Sequence, residues 1–249
     1  MERVTAKGVK DLFLKESVVD HYATAAVDIG LWRSEELVLT RVFDQNDTIL
    51  ELGCGAGRIA IGLWELGFHK IMGTDLSRPM IARARLLARK LEYAIPLRVA
   101  DATRLAFEAE TFDGVIFGFN GLMQIPEREF RRAALAEMLR VTRAGGRAVL
   151  TTHDRTVGAP EGFWAEEQAR WKAGKQDRRL REFGDRLTVM DHGEVYIHIP
   201  TREEVREDIT AAGWRCLEDA MRSEISAEPT AVEEFSTDCR FWVLEKPLI

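Results

Sequence analysis

The residues best placed to do chemistry form the spacing Glu51-x-Gly53-x-Gly55-x-Gly57. A short apolar run precedes this pattern, and helix-favouring sequence starts at Arg58, so the pattern predicts a strand, a tight turn and a helix. Such a turn brings backbone amides close to a small ligand, because glycine has no Cβ to block the ligand and tolerates the backbone angles of the turn.

Two further carboxylates end apolar runs downstream. Asp75 ends the run that begins at Lys70, and Asp101 ends the run that begins at Pro96. A carboxylate at the tip of a second strand can accept hydrogen bonds from both hydroxyls of a ribose, as in nucleotide-binding folds. Turn and cap positions also favour aspartate, so a purely structural Asp75 is the alternative. Ser77 is predicted to cap the helix that follows.

The glycine spacing separates two kinds of ligand. The dinucleotide fingerprint needs a glycine or alanine three residues after Gly55, and Arg58 stands there. The phosphate-binding fingerprint therefore fails. A nicotinamide-dependent oxidoreductase stays only as an alternative.

The motif Glu51-x-Gly53-x-Gly55-x-Gly57 resembles the first motif of the class I S-adenosylmethionine (SAM) dependent methyltransferases. Other landmarks of that family follow in order, namely the acids at 75 and 101, the strand Phe112-Asp113-Gly114-Val115, and a Gly145-Gly146 turn before a fifth strand. The resemblance covers about residues 47 to 152 and extends only loosely to the flanks.

The resemblance implies roles for individual residues. The glycine turn lies beside the amino-acid end and the ribose of SAM, and Glu51 orders the site around the ammonium. Asp101 faces the adenine amino group, and Leu76 packs on an adenine or ribose face. The predicted cofactor-binding residues are Glu51, Gly53, Cys54, Gly55, Asp75, Leu76, Asp101, Ala102 and Phe117.

The methyl acceptor is expected beyond the carboxyl ends of the strands, where open α/β sheets bind ligands. His153 follows the fifth strand and is the predicted general base, since imidazole titrates near neutral pH. A histidine that only hydrogen-bonds a loop is the alternative. The other predicted acceptor-pocket residues are Tyr22, Asn120, Phe163, Trp164 and His198.

Each of these acceptor residues also has a structural interpretation. Tyr22 could pack a helix face, Asn120 could sit in a turn, and Phe163 and Trp164 could pack an insert onto the core. His198 could face solvent on an alternating strand. The spacing of the histidines and acids matches no recognised ligand set, so no metal is predicted.

The elements that must position these residues predict one α/β domain over 1–249, with a doubly wound, seven-stranded, mostly parallel sheet that has an antiparallel end. Residues 1–15 are predicted to be a mobile end or a frayed helix, and helices are predicted from 17 to 29 and from 35 to 42. Residues 219 to 237 are left unassigned. The predicted parts are an N-terminal helical cover (1–45), a SAM-binding core (47–152), a lid or acceptor insert (155–200) with a half-buried strand at 194–199, and the C-terminal part of the sheet (201–249), which opens with a capping box at 201–204.

Composition narrows the function further. The 249-residue chain is 46% hydrophobic and 31% charged, and its net charge of -6 argues against a nucleic-acid partner. It has no apolar run of membrane-spanning length and no N-terminal apolar segment typical of a secretory signal. Three scattered cysteines favour a reduced, cytoplasmic protein.

The sequence thus predicts a cytoplasmic SAM-dependent methyltransferase with a small-molecule acceptor, and it leaves the methylated atom and the oligomeric state open. A protein or RNA acceptor and a non-catalytic SAM-fold binding module are further alternatives.

Overall fold

The computed structural model describes residues 3–190 and 193–248. Its strands are β1 (Ile49–Leu52), β2 (Ile71–Asp75), β3 (Leu97–Val99), β4 (Phe112–Phe117), β5 (Thr142–Thr152), β6 (Asp185–Met190), β7 (Gly193–His198), β8 (Arg215–Met221) and β9 (Arg240–Glu245). Its helices are α1 (Ala6–Leu12), α2 (Glu16–Asp28), α3 (Arg33–Val42), α4 (Arg58–Glu65), α5 (Arg78–Lys90), α6 (Arg128–Val141), α7 (Phe163–Lys172), α8 (Arg202–Ala211), α9 (Arg222–Ile225) and α10 (Thr230–Phe235). A short 3₁₀ helix (Gly121–Gln124) follows β4.

Seven strands form the main sheet in the order β3-β2-β1-β4-β5-β9-β8. The pairs from β3 to β5 are parallel, whereas β9 runs antiparallel to both β5 and β8. The predicted seven-stranded, mostly parallel sheet is confirmed. Because β1, β2 and β4 are parallel neighbours, their carboxyl ends meet at one edge of the sheet.

Alternating side chains of the central strands enter two hydrophobic clusters on opposite faces of the sheet. Ile49 and Ile116 belong to the cluster that contains residues of α3, α4 and α5. Leu50 and Val115 belong to the cluster that contains residues of α6 and α8. This two-sided burial explains why the strands read as continuous apolar runs.

The glycine turn and the helix starts follow local sequence. Helix α4 begins at Arg58 as predicted. Ser77 caps α5 by accepting a hydrogen bond from the backbone of Met80, also as predicted. Gly145 has a φ of +74° and lies within β5, where the register against β4 shifts. The predicted turn at Gly145-Gly146 is therefore an irregularity inside the strand.

Three segments carry detail beyond the expectations. Residues 1–15, predicted to be a mobile end or a frayed helix, contain the helix α1. The strand predicted at 194–199 is β7, which pairs with the unpredicted β6 in a separate two-stranded sheet. The unassigned segment 219–237 contains the end of β8 together with α9 and α10.

None of the described helices has both the length and the apolar character that crossing a membrane requires.

Candidate active site

A cavity of about 310 Å³ opens at the carboxyl ends of β1, β2 and β4. Residues of α1, α2 and α10 also line it, so helices from both ends of the chain cover the edge of the sheet. A cavity of this size at this edge is typical of small-ligand sites in α/β folds.

The glycine turn forms one wall of the cavity. Gly53 and Gly55 have φ values of +62° and +53°, a region that side chains other than glycine rarely adopt. A Cβ on Gly53 would lie 2.9 Å from the ring of Phe117, whereas a Cβ on Gly55 would meet no atom within 4 Å. Any side chain at Gly55 would therefore project into open space beside the turn.

Asp75 ties the turn to the second strand. Its Oδ2 accepts a hydrogen bond from the backbone N–H of Gly55 at 2.9 Å, and its Oδ1 accepts one from Ser77 at 2.7 Å. Burial raises the pKa of Asp75, and the two backbone donors oppose that rise. The carboxylate lines the cavity and keeps lone pairs for a ligand.

Glu51 presents an unpaired carboxylate oxygen. Its side chain is 2% exposed and lines the cavity, and its Oε2 has no hydrogen-bond partner among the described residues. Burial raises the pKa of Glu51 to about 8, although the guanidinium of Arg58 lowers it. A buried acceptor without a donor is costly, so this oxygen indicates a cationic or hydrogen-bonding ligand.

Arg58 cannot supply the missing donor because Glu35 already pairs with it. Its Nη1 and Nη2 donate to the two carboxylate oxygens of Glu35 at 2.5 and 2.6 Å, and Nη1 also donates to the carbonyl of Gly30. The guanidinium stacks over the ring of Trp32 at 4.6 Å. The residue that breaks the dinucleotide fingerprint is thus a buried ion-pair partner beside the cavity.

All the predicted cofactor-binding residues line this cavity. They are Glu51, Gly53, Cys54, Gly55, Asp75, Leu76, Asp101, Ala102 and Phe117. The exposed Asp101 accepts hydrogen bonds from the N–H and hydroxyl of Thr103 through Oδ1, which leaves Oδ2 available. The structure brings the set together, and the role of each residue toward a ligand stays a prediction.

An aromatic wall closes the side of the cavity beyond β4. Phe119 stacks on Phe235 with ring centroids 5.1 Å apart and meets Tyr22 edge-on at 6.0 Å. Tyr22, a predicted acceptor-pocket residue, lines the cavity, and its hydroxyl hydrogen-bonds Gln124. Burial raises the pKa of Tyr22, so its hydroxyl keeps its proton at neutral pH.

The sequence predicts an N-terminal helical cover over 1–45, but it gives no sign that α10 contributes to this cavity. Phe13 follows α1, and Phe235 ends α10 in a segment left unassigned. An isolated aromatic residue in an irregular acidic stretch carries no periodic signal. Only the packing of Phe235 on Phe119 shows its position.

The structure corrects the placement of His153. The residue lies outside the cavity lining, and both of its ring nitrogens have partners. Nε2 accepts from Nδ2 of Asn120 at 3.2 Å, which leaves the proton on Nδ1, 3.4 Å from the carbonyl of Asp238. Burial lowers the pKa of His153. The loop-bonded alternative describes this geometry, and we assign His153 no proton transfer.

Asn120, predicted as an acceptor contact, is also outside the cavity lining. It is buried, and its backbone N–H donates to the hydroxyl of Thr151 at 3.0 Å. Phe119 and Asn120 have φ values of +46° and +59°. The bonds from Asn120 to Thr151 and His153 hold this strained turn, which directs the ring of Phe119 into the wall.

Phe163 and Trp164 pack within the insert rather than around the cavity. Trp164 lies edge-on to Phe163 and Phe183, with centroids 5.1 and 5.8 Å away. The guanidinium of Arg155 lies 5.3 Å from the Trp164 ring. Both aromatic residues were predicted to line the acceptor pocket, but neither lines the described cavity. Their rings pack against other residues of the insert instead.

His198 neither faces solvent nor lines the cavity. It is fully buried, with Nδ1 2.9 Å from Oδ1 of Asp185 and Nε2 2.7 Å from Oε1 of Glu204. Burial alone lowers the pKa of His198, but the hydrogen bonds to the two carboxylates outweigh it and raise the pKa. Thr201 caps α8 as predicted. The side chain of Glu204, the other member of the predicted capping box, contacts His198.

Glu182, His198 and Glu204 place ligand atoms within 4.8 Å of one another, close enough to hold a metal ion. The buried guanidinium of Arg131 lies 3.0 Å from Glu182 and 3.8 Å from Glu204. That arginine already supplies the positive charge between the carboxylates. The cluster fits an ion-pair network, and we assign it no metal.

Replacing His198 by glutamine is expected to lower the free energy of unfolding by about 2 kcal/mol near pH 6, because the buried Asp185 and the half-buried Glu204 lose the cation that they share. The raised pKa means that the contribution of His198 is full below the unfolded pKa of about 6.5 and is lost as pH rises through the folded pKa. Urea unfolding at pH 6 and pH 9 measures this. The exposed His69, replaced by glutamine, is the control. A destabilisation equal at both pH values would contradict the charged state.

The sheet order, the glycine turn and the acids near the ends of β1 and β2 define a Rossmann-like domain with a cavity at the carboxyl ends of its strands. Residues 49–146 match the family model described as "Methyltransferase domain". The chain is similar over its whole length to the crystal structure of the [4+2]-cyclase SpnF (TM-score 0.70, 17% identity, 99% of that chain covered). It is also similar to a SAM-dependent methyltransferase of Methanosarcina mazei (TM-score 0.67, 18% identity, 85% of this chain and 98% of that one). At these identities both likenesses concern the fold alone.

Two sequence relatives cover larger parts of the chain than the family model does. The chain is 27% identical over 194 residues to a demethylmenaquinone methyltransferase of Streptomyces avermitilis, with 74% of each chain covered. It is 36% identical over 128 residues to an uncharacterized protein of Haemophilus influenzae, where the match spans 50% of this chain and about half the length of the relative. Residues 49–146 therefore form a methyltransferase domain on a Rossmann-like fold, and S-adenosylmethionine is the cofactor that such domains use.

Proposed function

We propose that this protein transfers a methyl group from S-adenosylmethionine to an uncharged or weakly acidic small molecule with a flat apolar body. The observation that carries the proposal is the unpaired, buried Oε2 of Glu51 in the cavity beside the glycine turn. An ammonium is the kind of group that would satisfy this oxygen.

The residues present fit that cofactor. Gly55 leaves open space where a side chain would project, and Asp75 presents a carboxylate beside it for ribose hydroxyls. Asp101 and Ala102 lie at the end of the same cavity reached by β3. When bound, S-adenosylmethionine supplies an electrophilic methyl group, so the protein chiefly has to align the acceptor and exclude water.

The acceptor side of the cavity supports the choice of acceptor. Phe13, Tyr22, Phe119 and Phe235 line it together with Ile125. These side chains offer apolar area and the polar Tyr22–Gln124 pair. Among the described lining residues the carboxylates are Glu51, Asp75 and Asp101, all assigned to the cofactor. The described lining residues therefore offer no imidazole and no further carboxylate as a general base, which favours an acceptor whose nucleophile needs none.

Relatives named demethylmenaquinone methyltransferase make a quinone-like ring a reasonable first acceptor to test. Three free cysteines, each far from the others in sequence, fit a cytoplasmic location.

Isothermal calorimetry with SAM, S-adenosylhomocysteine and NAD tests the cofactor. We expect the first two to bind and NAD to give no heat. Methyl-labelled SAM with a pooled metabolite extract, and separately with the protein and RNA fractions, tests the acceptor. Label confined to the protein or RNA fraction would replace the small-molecule proposal, and absence of SAM binding would overturn it.

A further inference from the structure

Arg181 lies outside the cavity but holds two segments that line it. Its Nε donates to the carbonyl of Val4 at 3.0 Å, and its Nη1 donates to Oε2 of Glu127 at 3.1 Å. Val4 leads into α1, and Glu127 follows the lining residues Ile125 and Pro126. The guanidinium of Arg181, which belongs to the insert, thus bonds both the segment before α1 and the segment at Glu127.

Helix α1 lies over the cavity, and hydrogen bonds hold the chain at both ends of the helix. We call α1 the strap. At one end, the N–H of Val4 donates to the carbonyl of Arg179 at 2.9 Å. At the other, the hydroxyl of Ser77 donates to the carbonyl of Phe13 at 2.6 Å. Within α1 itself only Leu12 is buried. The end contacts therefore hold the strap more than core burial does.

Arg181 is itself fixed by the insert. Its backbone N–H donates to Oδ2 of Asp185 at 2.9 Å. The other oxygen of Asp185 accepts from the hydroxyl of Tyr196 at 2.7 Å and contacts His198 at 2.9 Å. This buried network gives the guanidinium a rigid base, although the Arg181 and Glu127 side chains remain 27% and 26% exposed.

The second segment has a separate support. Nη1 of the fully buried Arg131 donates to the carbonyl of Ile125 at 3.2 Å. Glu127 has a φ of +69°, so its backbone is held in a strained region next to the cavity. Loss of Arg181 would remove one of the bonds that hold the first end of the strap, while Arg131 still holds the loop.

We propose that Arg181 is a positioning residue that keeps α1 closed over the cofactor and acceptor cavity, so that the insert governs how fast ligands leave without touching them. This proposal rests on the proposed function, because it takes the cavity to be the methyl-transfer site. The proposal gives the insert a role in ligand release, although Phe163 and Trp164 of the insert do not line the cavity.

Stopped-flow dissociation of S-adenosylhomocysteine tests the proposal. Arg181→Met is expected to raise the dissociation rate constant 5- to 10-fold, which corresponds to about 1–1.4 kcal/mol. Arg181→Lys keeps the charge toward Glu127 but not the fork geometry. Its dissociation rate constant is expected to lie between those of wild type and Arg181→Met. The control is Arg178→Met, since Arg178 is exposed in the same segment. Rates within twofold of wild type for Arg181→Met would overturn the proposal.

Two further measurements keep the outcome clear. If Arg181→Met folds poorly, Val4→Pro removes the N–H that bonds Arg179 and is expected to speed dissociation in the same way. Hydrogen exchange of the α1 amides needs no ligand, and it is expected to be faster in Arg181→Met than in Arg178→Met. If wild type binds no S-adenosylhomocysteine, the proposed function fails. If α1 exchange is unchanged, the positioning role fails.

Discussion

Asp75→Ala is expected to weaken binding of S-adenosylhomocysteine at least about 100-fold, or close to 3 kcal/mol. The substitution removes the predicted acceptor for two ribose hydroxyls. It also removes the acceptor for the N–H groups of Gly55 and Ser77, so the glycine turn loses the anchor that shapes it. Hydrogen bonds to a charged group contribute about 1.5–3 kcal/mol each, which makes a loss of this size reasonable. Calorimetry at pH 7.5 measures it.

Two variants separate a ligand effect from a folding effect. Asp20→Ala removes an exposed aspartate that contacts Arg83 of α5, and it should bind as wild type does. Asp75→Asn keeps one acceptor oxygen and should fall between wild type and Asp75→Ala. Unchanged affinity in Asp75→Ala, with the thermal midpoint also unchanged, would remove Asp75 from the cofactor site.

Glu51→Gln is expected to weaken SAM binding roughly 30- to 100-fold, because the neutral amide cannot pair with an ammonium. The pH dependence of SAM binding is a sharper test of the contact between Glu51 and the ammonium. With a pKa of about 8 in the free protein, Glu51 is protonated at neutral pH, and a cationic ligand would favour its ionised form. Binding at pH 7 should therefore release a proton from wild type, and affinity should rise toward pH 8.

Calorimetry in buffers of different ionisation enthalpy counts the released protons. The count should fall to near zero in Glu51→Gln and stay at the wild-type value in the control Glu36→Gln, an exposed glutamate of α3. A folded pKa above the unfolded value of about 4.5 also means that wild type loses stability as pH rises from about 4.5 to about 8, whereas Glu51→Gln does not. Equal proton release in both proteins would show that Glu51 does not meet the ammonium.

The cofactor end of the site could be predicted because its determinants are local. The glycine turn and the carboxylate before it lie within a few positions of each other. The acid ending β2 is marked by its own short apolar run, and the parallel sheet brings the strand ends together. The predicted residues there all line one cavity.

The acceptor end could not be predicted in the same way. Residue type and position relative to the strands are the sequence signals at five residues, namely His153, Asn120, Phe163, Trp164 and His198. Their side chains turn to partners that only the folded chain brings close, such as Asp238, 85 residues away, for His153 and Asp185, on the paired strand β6, for His198. A polar or aromatic side chain has the same sequence signature in a ligand pocket as in a buried network.

The sequence by itself determined the strand–turn–helix units, the sheet class and the glycine turn that lines the cavity, because hydrophobic period and glycine geometry act over short distances. Only the tertiary structure decided which helices cover the cavity and which buried charges find partners. These choices depend on contacts between Val4 and Arg181 or between Phe119 and Phe235, which are more than a hundred residues apart and leave no periodic trace.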